Sequence, residues 1–292
     1  LGERVGKKRS TVANYLRLLK LPVEVQLAVR EELISMGHAR ALINLESEQQ
    51  QIALLKKTIK KGLSVRQVEE AVKDPAVKGM WCVPKYSNPD GIVYSDETIA
   101  RIAALKPAAP DFALMWDNAY CIHELEGEFV PFPDILAECA RYGNADMVFE
   151  FASTSKVTLP GAGISCFACS EANLAYMEKL IGIQAISFDK VNQQRHVLYL
   201  KDKATTLALM RRHAAILAPK FRAVTDALDR EIAPLGIASW THPKGGYFVS
   251  LDAMPGTAKR TLQLCKEAGV TMTGAGATFP YGKDPQDSNI RI

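Results

Sequence analysis

Phe149–Gly163 reads FEFASTSKVTLPGAG, an apolar run that ends in a hydroxyl-rich turn presenting one lysine, Lys156. The run predicts a buried strand, which puts Lys156 at the rim of a sheet. Burial there lowers the pKa of an amine enough for it to attack a carbonyl, and this is the expectation for Lys156 if the chain does chemistry. Taken alone, a Ser/Thr-Lys pair reads as a solvated loop lysine, because lysines are mostly exposed. The flanking segments decide between the two.

Upstream, three β-type runs appear in turn, Val77–Val83, Phe112–Trp116 and Met147–Phe151, with helical stretches at Asp96–Leu105 and Asp134–Tyr142 between them. Strand, helix, strand, helix, strand at this spacing predicts βαβ units of a parallel sheet. Ligands of such sheets gather at the carboxyl ends of the strands. Those ends carry Ser87-Asn88-Pro89-Asp90-Gly91, Asp117-Asn118-Ala119-Tyr120 and Ser153-Thr154-Ser155-Lys156. Each part alone has an ordinary reading: Asn-Pro forms turns, Asp caps helices, and a tyrosine packs half-buried. Together an amide, a carboxylate, a phenol and a lysine at one sheet edge match what pyridoxal phosphate chemistry requires.

With the motifs VPKYSNPDG, WDNAY and STSK in this order, residues 75–292 resemble the C-terminal part of a fold-type I, class I aminotransferase of the aspartate-aminotransferase-like group. The resemblance implies an α/β PLP-transferase-like fold: an incomplete parallel-sheet large domain over 75–202, then an interdomain helix and truncated small α/β domain over 203–292. It implies pyridoxal 5'-phosphate as cofactor, with Asn88 and Tyr120 on its ring oxygen, Asp117 on its ring nitrogen, Ser153 on its phosphate and Lys156 as the Schiff-base lysine and α-proton base. Arg291, in Asn289-Ile290-Arg291, resembles the arginine that grips a substrate carboxylate, a task suited to a guanidinium fork. Amino acid and 2-oxo acid substrates and a homodimer follow as partners. The stretch Lys203–Ile232 resembles the family's interdomain helix, and Pro243-Lys244-Gly245-Gly246-Tyr247-Phe248 a glycine-hinged strand. Two departures stand out. Ile164 occupies the place where many relatives carry a phosphate-binding arginine, so the amides of Gly161-Ala162-Gly163 are expected to substitute. The family's first half has no counterpart, and a different segment stands in its place.

That segment, residues 1–74, holds 14 Lys and Arg against 9 Asp and Glu, whereas the rest of the chain holds 22 against 23. The basic surplus points to a polyanion partner for this segment. Ser10 caps a short amphipathic helix to Leu19, with Lys7, Lys8 and Arg9 at its start and Arg17 along it, which suits phosphate contact. Ser64-Val65-Arg66-Gln67 reads as a capping box opening a last helix to about Lys73. The motifs GKKRSTVANYLRLLKLP, ISMGHARALINL and KGLSVRQVEEAV resemble the all-α helix-turn-helix DNA-binding domain of ParB/Spo0J partition proteins. That resemblance implies double-stranded DNA as partner, read by Ser10, Thr11, Asn14 and Arg17 with Lys7, Lys8 and Arg9, and contacted along its backbone by His38 and Arg40.

The 292 residues are 48% hydrophobic, enough for a substantial core, and no apolar run reaches the ~18 residues of a membrane span, so the cytoplasm is expected. The six cysteines read as buried free thiols, with one Cys166-x-x-Cys169 pair and no second pair to complete a zinc site. The two segments meet near Val68–Pro75 without a Gly/Ser/Pro-rich linker, which points to an artificial or mis-assembled hybrid fragment over an evolved fusion. The alternative to amino-group transfer is a DNA-binding regulator with a non-catalytic aminotransferase-like domain, or a hybrid with neither activity.

Overall fold

The computed structural model describes residues 65–292 together with Leu21 and Pro22. The helix-turn-helix expectation and its residues Lys7, Lys8, Arg9, Ser10, Thr11, Asn14, Arg17, His38 and Arg40 lie outside the described residues. The chain divides into two units, Leu1–Glu70 and Ala71–Ile292. A helix, α1 (Val65–Ala71), runs to the division within the span predicted from the capping box.

The second unit opens with β1 (Gly79–Cys82), α2 (Asp96–Ala103), β2 (Ala113–Asp117), α3 (Ile135–Arg141), β3 (Val148–Ser153) and β4 (Ser165–Ala168). The sheet runs β1-β2-β3-β4, the first two pairings parallel and the last antiparallel. The parallel reading therefore holds for three strands. The fourth corrects it to a mixed sheet: the chain turns back after Lys156 and pairs Ser153 with Ser165. β3 runs two residues beyond its predicted end, so Ser153 is its last residue.

Both connecting helices begin where capping chemistry dictates. Ser95 Oγ accepts the Thr98 N–H, and Asp134 Oδ1 accepts those of Leu136 and Ala137. Each cap satisfies amides that the first helical turn leaves without partners. α2 buries Ile99, Ile102 and Ala103, and α3 buries Ile135 and Cys139. The two pack against each other and α3 against β3, on the sheet face that carries Leu114, Trp116 and Val148. Strand alternation sends Trp81, Met115, Phe149 and Phe151 to the opposite face, where Trp81 is 64% exposed and stacks on Phe151 at 6.2 Å.

After β4 come α4 (Glu171–Gln184), α5 (Lys190–Leu200) and the 25-residue α6 (Lys203–Ala227), whose N-cap Asp202 accepts from Thr205 N. A π-helical turn at Leu228–Ile232 completes the predicted long stretch. A second, antiparallel sheet of β5 (Ala238–Trp240), β6 (Ser250–Ala253) and β7 (Asn289–Arg291) follows, with α7 (Ala258–Glu267) between its last two strands. Leu251, Ala258 and Ile290 form its core with Leu228, Trp240 and Leu262 packed around them. Near its N-terminal end α6 supplies Leu209 and Met210 to a cluster with Val157, the residue after Lys156, so the long helix underpins the lysine loop.

The cysteines correct the expectation of uniformly buried thiols. All six are free, but only Cys82 and Cys139 are buried and Cys166 is exposed. Burial pushes Cys82 up to about 11 and Cys139 up to about 12.

Candidate active site

The three parallel strands deliver their loops to one sheet edge. After β1, Lys85 turns inward and pairs with Glu124 at 2.5 Å, the two residues being 2% and 3% exposed. The lysine also donates to the carbonyls of Cys121 (2.8 Å) and Val130 (3.0 Å), and the same Glu124 oxygen accepts the Val130 N–H. A buried pair is tolerated when further hydrogen bonds replace lost hydration, as these do. It ties the Asn88 loop to the loop that follows β2. The next residue, Tyr86, has a positive φ of 50°, and its ring lies where a side chain on Gly245 would stand: a Cβ there would meet the ring at 2.5 Å. Only glycine permits that approach. The Gly246 N–H donates to the His123 carbonyl, docking the 245–247 segment beside the β2 loop.

Asp117 ends β2. Asn118 secures the turn behind it, its backbone N–H donating to the Phe151 carbonyl (2.9 Å) and its side-chain amide to Glu150 (3.0 Å). Burial raises the Glu150 carboxyl above its usual range. Tyr120 is 4% exposed. Its hydroxyl is pushed up first by burial, then by the charge of Asp117 and the nearby Tyr247. Lys156 Nζ lies 5.0 Å from the centre of the Tyr120 ring. The sequence-predicted trio of Asp117, Tyr120 and Lys156 is thus brought together. One expectation is corrected: Lys156 is exposed, and burial falls on Lys85 instead.

Two side chains missed by sequence reasoning converge on the main chain of Lys156. The Tyr247 hydroxyl donates to its carbonyl at 3.0 Å, and His123 Nε2 approaches the same oxygen at 3.4 Å. Burial pushes the His123 imidazole down to about 4. The rings of Tyr120, His123 and Tyr247 meet edge to face, with centres 5.5 to 6.1 Å apart. Both residues stood inside quoted motifs or beside them, His123 three residues after Tyr120 and Tyr247 in the glycine-hinged segment.

Behind Lys156 the loop is closed by Thr154, whose N–H donates to the Ile164 carbonyl and whose Oγ1 accepts the Ile164 N–H, each at 2.9 Å. Ala162 N–H goes to the Leu159 carbonyl. This confines the expected anion-binding amides of the stretch to those of Gly161 and Gly163. Gly163 is required there in any case, since a Cβ would lie 2.6 Å from Ser155 Oγ.

From the second sheet, Arg291 donates to Asn88 Oδ1 (3.1 Å) and to Thr273 Oγ1 (3.1 Å), with its guanidinium 4.7 Å from the Phe248 ring centre. Asn88 and Arg291 are therefore partners of each other. By contrast, the side chains of Asp117 and Lys156 take no hydrogen-bond or ion-pair partner among the described residues. Also among the described residues, no His/Cys/Asp/Glu group has the arrangement of a metal site, and no helix is long and apolar enough to cross a membrane.

The family model described as aspartate amino-transferase matches residues 32–292. A protein of Mycolicibacterium smegmatis described as an aminotransferase is 50% identical over 232 residues, covering 79% of this chain and 54% of its own. The crystal structure of an aspartate transaminase from Corynebacterium glutamicum superposes with a TM-score of 0.77 at 47% identity, covering 78% of this chain and 54% of its own. The chain thus spans about half the length of these relatives. A nucleoid occlusion protein of Oceanobacillus iheyensis is 57% identical over 72 residues, 25% of this chain and 25% of its own.

Proposed function

This chain belongs to the aspartate aminotransferase family, and from that premise we propose that its strand-end cluster holds pyridoxal 5'-phosphate for amino-group transfer between an amino acid and a 2-oxo acid. The observation that carries the reading is the placement of Asp117, Tyr120 and Lys156 at neighbouring strand ends, with carboxylate and amine free of hydrogen-bond and ion-pair partners among the described residues. This donor set fits the group: a carboxylate for a protonated ring nitrogen, a phenol for a ring oxygen and an amine for an aldehyde.

When bound, the cofactor supplies an electron sink for the bond to the substrate Cα. The remaining work falls to the chain. Asp117 would hold the ring-nitrogen proton, and the Tyr120 hydroxyl and the Asn88 side-chain amide would donate to the ring oxygen. Ser153 and the glycine amides of the β3–β4 loop take the phosphate. Lys156 would anchor the cofactor and hold the α-proton at Nζ. Arg291 would bind the substrate carboxylate with the guanidinium N–H groups that its bonds to Asn88 and Thr273 leave free. Titration of the purified chain with pyridoxal phosphate, followed by visible absorbance, tests the reading. A yellow band is expected in the wild type and not in Lys156→Ala; equal spectra would overturn it.

A second reading concerns residues 1–74, for which we infer binding to double-stranded DNA. The basic surplus of that segment and the 72-residue similarity to a nucleoid occlusion protein support it. Affinity for duplex DNA should fall with added salt and weaken in Arg17→Ala; an unchanged affinity in that variant counts against the Ser10–Leu19 recognition helix.

A further inference from the structure

We propose that His123 and Tyr247 are positioning residues for Lys156, fixing its peptide carbonyl so that the amine projects over the Tyr120 ring; this rests on the reading of Lys156 as the cofactor-holding amine. The loop does not hold that carbonyl by itself. The N–H groups of Val157 and Thr158, which follow the lysine, both turn back to the Thr154 carbonyl at 3.0 and 2.8 Å. The donors that reach the Lys156 carbonyl are instead two side chains from separate parts of the fold, His123 from the loop after β2 and Tyr247 from the segment before β6.

The chemistry of each donor is settled by its surroundings. A carbonyl oxygen only accepts, so His123 Nε2 carries the proton. The imidazole is 5% exposed and neutral at physiological pH, which leaves Nδ1 as a bare lone pair; it has no hydrogen-bond partner among the described residues. Beside it, His123, His213 and Tyr247 line a cavity of about 10 Å³, the size of a single water site. Tyr247 is held by Gly245 and Gly246, whose close approach to Tyr86 and His123 seats the segment.

The same rings govern the other end of the lysine. Tyr120, beneath Nζ, packs edge to face on both His123 and Tyr247, so one aromatic group fixes the root of the side chain and supports its tip. On the far side, Val157 is buried against Leu209 and Met210, which prevents the loop from rolling away.

The test uses the full chain without cofactor. Reductive ¹³C-dimethylation labels the accessible lysines, and the Lys156 signal, identified by its loss in Lys156→Ala, should be displaced upfield by the Tyr120 ring. The displacement should collapse toward the bulk lysine position in Tyr247→Phe and in His123→Leu. It should return in His123→Gln, which restores an N–H donor. Tyr247→Phe removes one oxygen and keeps the ring, so it reads the hydrogen bond even where a His123 variant fails to fold. An unmoved Lys156 signal in folded Tyr247→Phe overturns the proposal. Failure of the wild type to take up pyridoxal phosphate would instead overturn the functional reading, since the resonance displacement does not depend on cofactor.

Discussion

Arg291 donates through Nη1 to Asn88 Oδ1 at 3.1 Å, joining residues 203 positions apart and linking the antiparallel sheet to the loop beyond β1. Both residues were singled out in the sequence for separate tasks. Their contact gives the second sheet a direct hold on the site.

The strength of that hold is measurable. A charge-assisted hydrogen bond at a partly exposed site contributes about 1–2 kcal/mol. In a double-mutant cycle of Asn88→Ala and Arg291→Ala, followed by urea denaturation, the coupling energy should fall in that range, and additive effects would show the contact to be energetically idle.

The Lys85–Glu124 pair should behave differently. Removing one partner leaves a buried charge, so Lys85→Met or Glu124→Leu should each cost about 3–5 kcal/mol in urea unfolding. Because the penalty is an orphaned charge, the double variant should recover much of the loss. Equal losses in single and double variants would mean that the pair acts through packing.

Glycines give a graded set. At Gly163 a Cβ would stand 2.6 Å from Ser155 Oγ and 2.8 Å from its backbone nitrogen, so Gly163→Ala should cost about 1–3 kcal/mol. Gly161 has open space but a φ of +77°, and Gly161→Ala should cost about 1–2 kcal/mol from backbone conformation alone. Gly182 lies inside α4 with nothing near its Cβ position, and Gly182→Ala should stabilise by about 0.5–1 kcal/mol. Thermal unfolding of the three variants checks the order.

His123 predicts a pH dependence. Its folded value, about 4, lies below the ordinary 6.5, so between these limits the unfolded chain binds the extra proton. Stability is then complete above about pH 6.5 and is lost as pH falls toward 4, by a few kcal/mol at most. Urea unfolding across that window should show a slope that flattens in His123→Gln.

The legible part of this molecule was the part written in local pattern. Apolar runs marked the parallel strands, the stretches Asp96–Leu105 and Asp134–Tyr142 marked α2 and α3, and the strand ends named Asp117, Tyr120 and Lys156 as neighbours. β4 escaped because Ser165–Ala168 is short and exposed at three of its four residues, without the alternation that marks a strand. The burial of Lys85 was not legible in the sequence, because Glu124 and two carbonyls from a distant loop receive it. Tyr247 was read only as part of a hinge, since its bond to Lys156 crosses 91 residues and exists only after the segment docks on Tyr86.

The central claim is that Lys156 is the amine that holds the cofactor. Incubation of the chain with pyridoxal phosphate, borohydride reduction and peptide mass mapping tests it most directly. The phosphopyridoxyl mass should fall on the peptide containing Lys156, and Asp117→Asn should reduce its yield. Modification spread evenly over surface lysines, and unchanged in total by Lys156→Ala, would contradict the account.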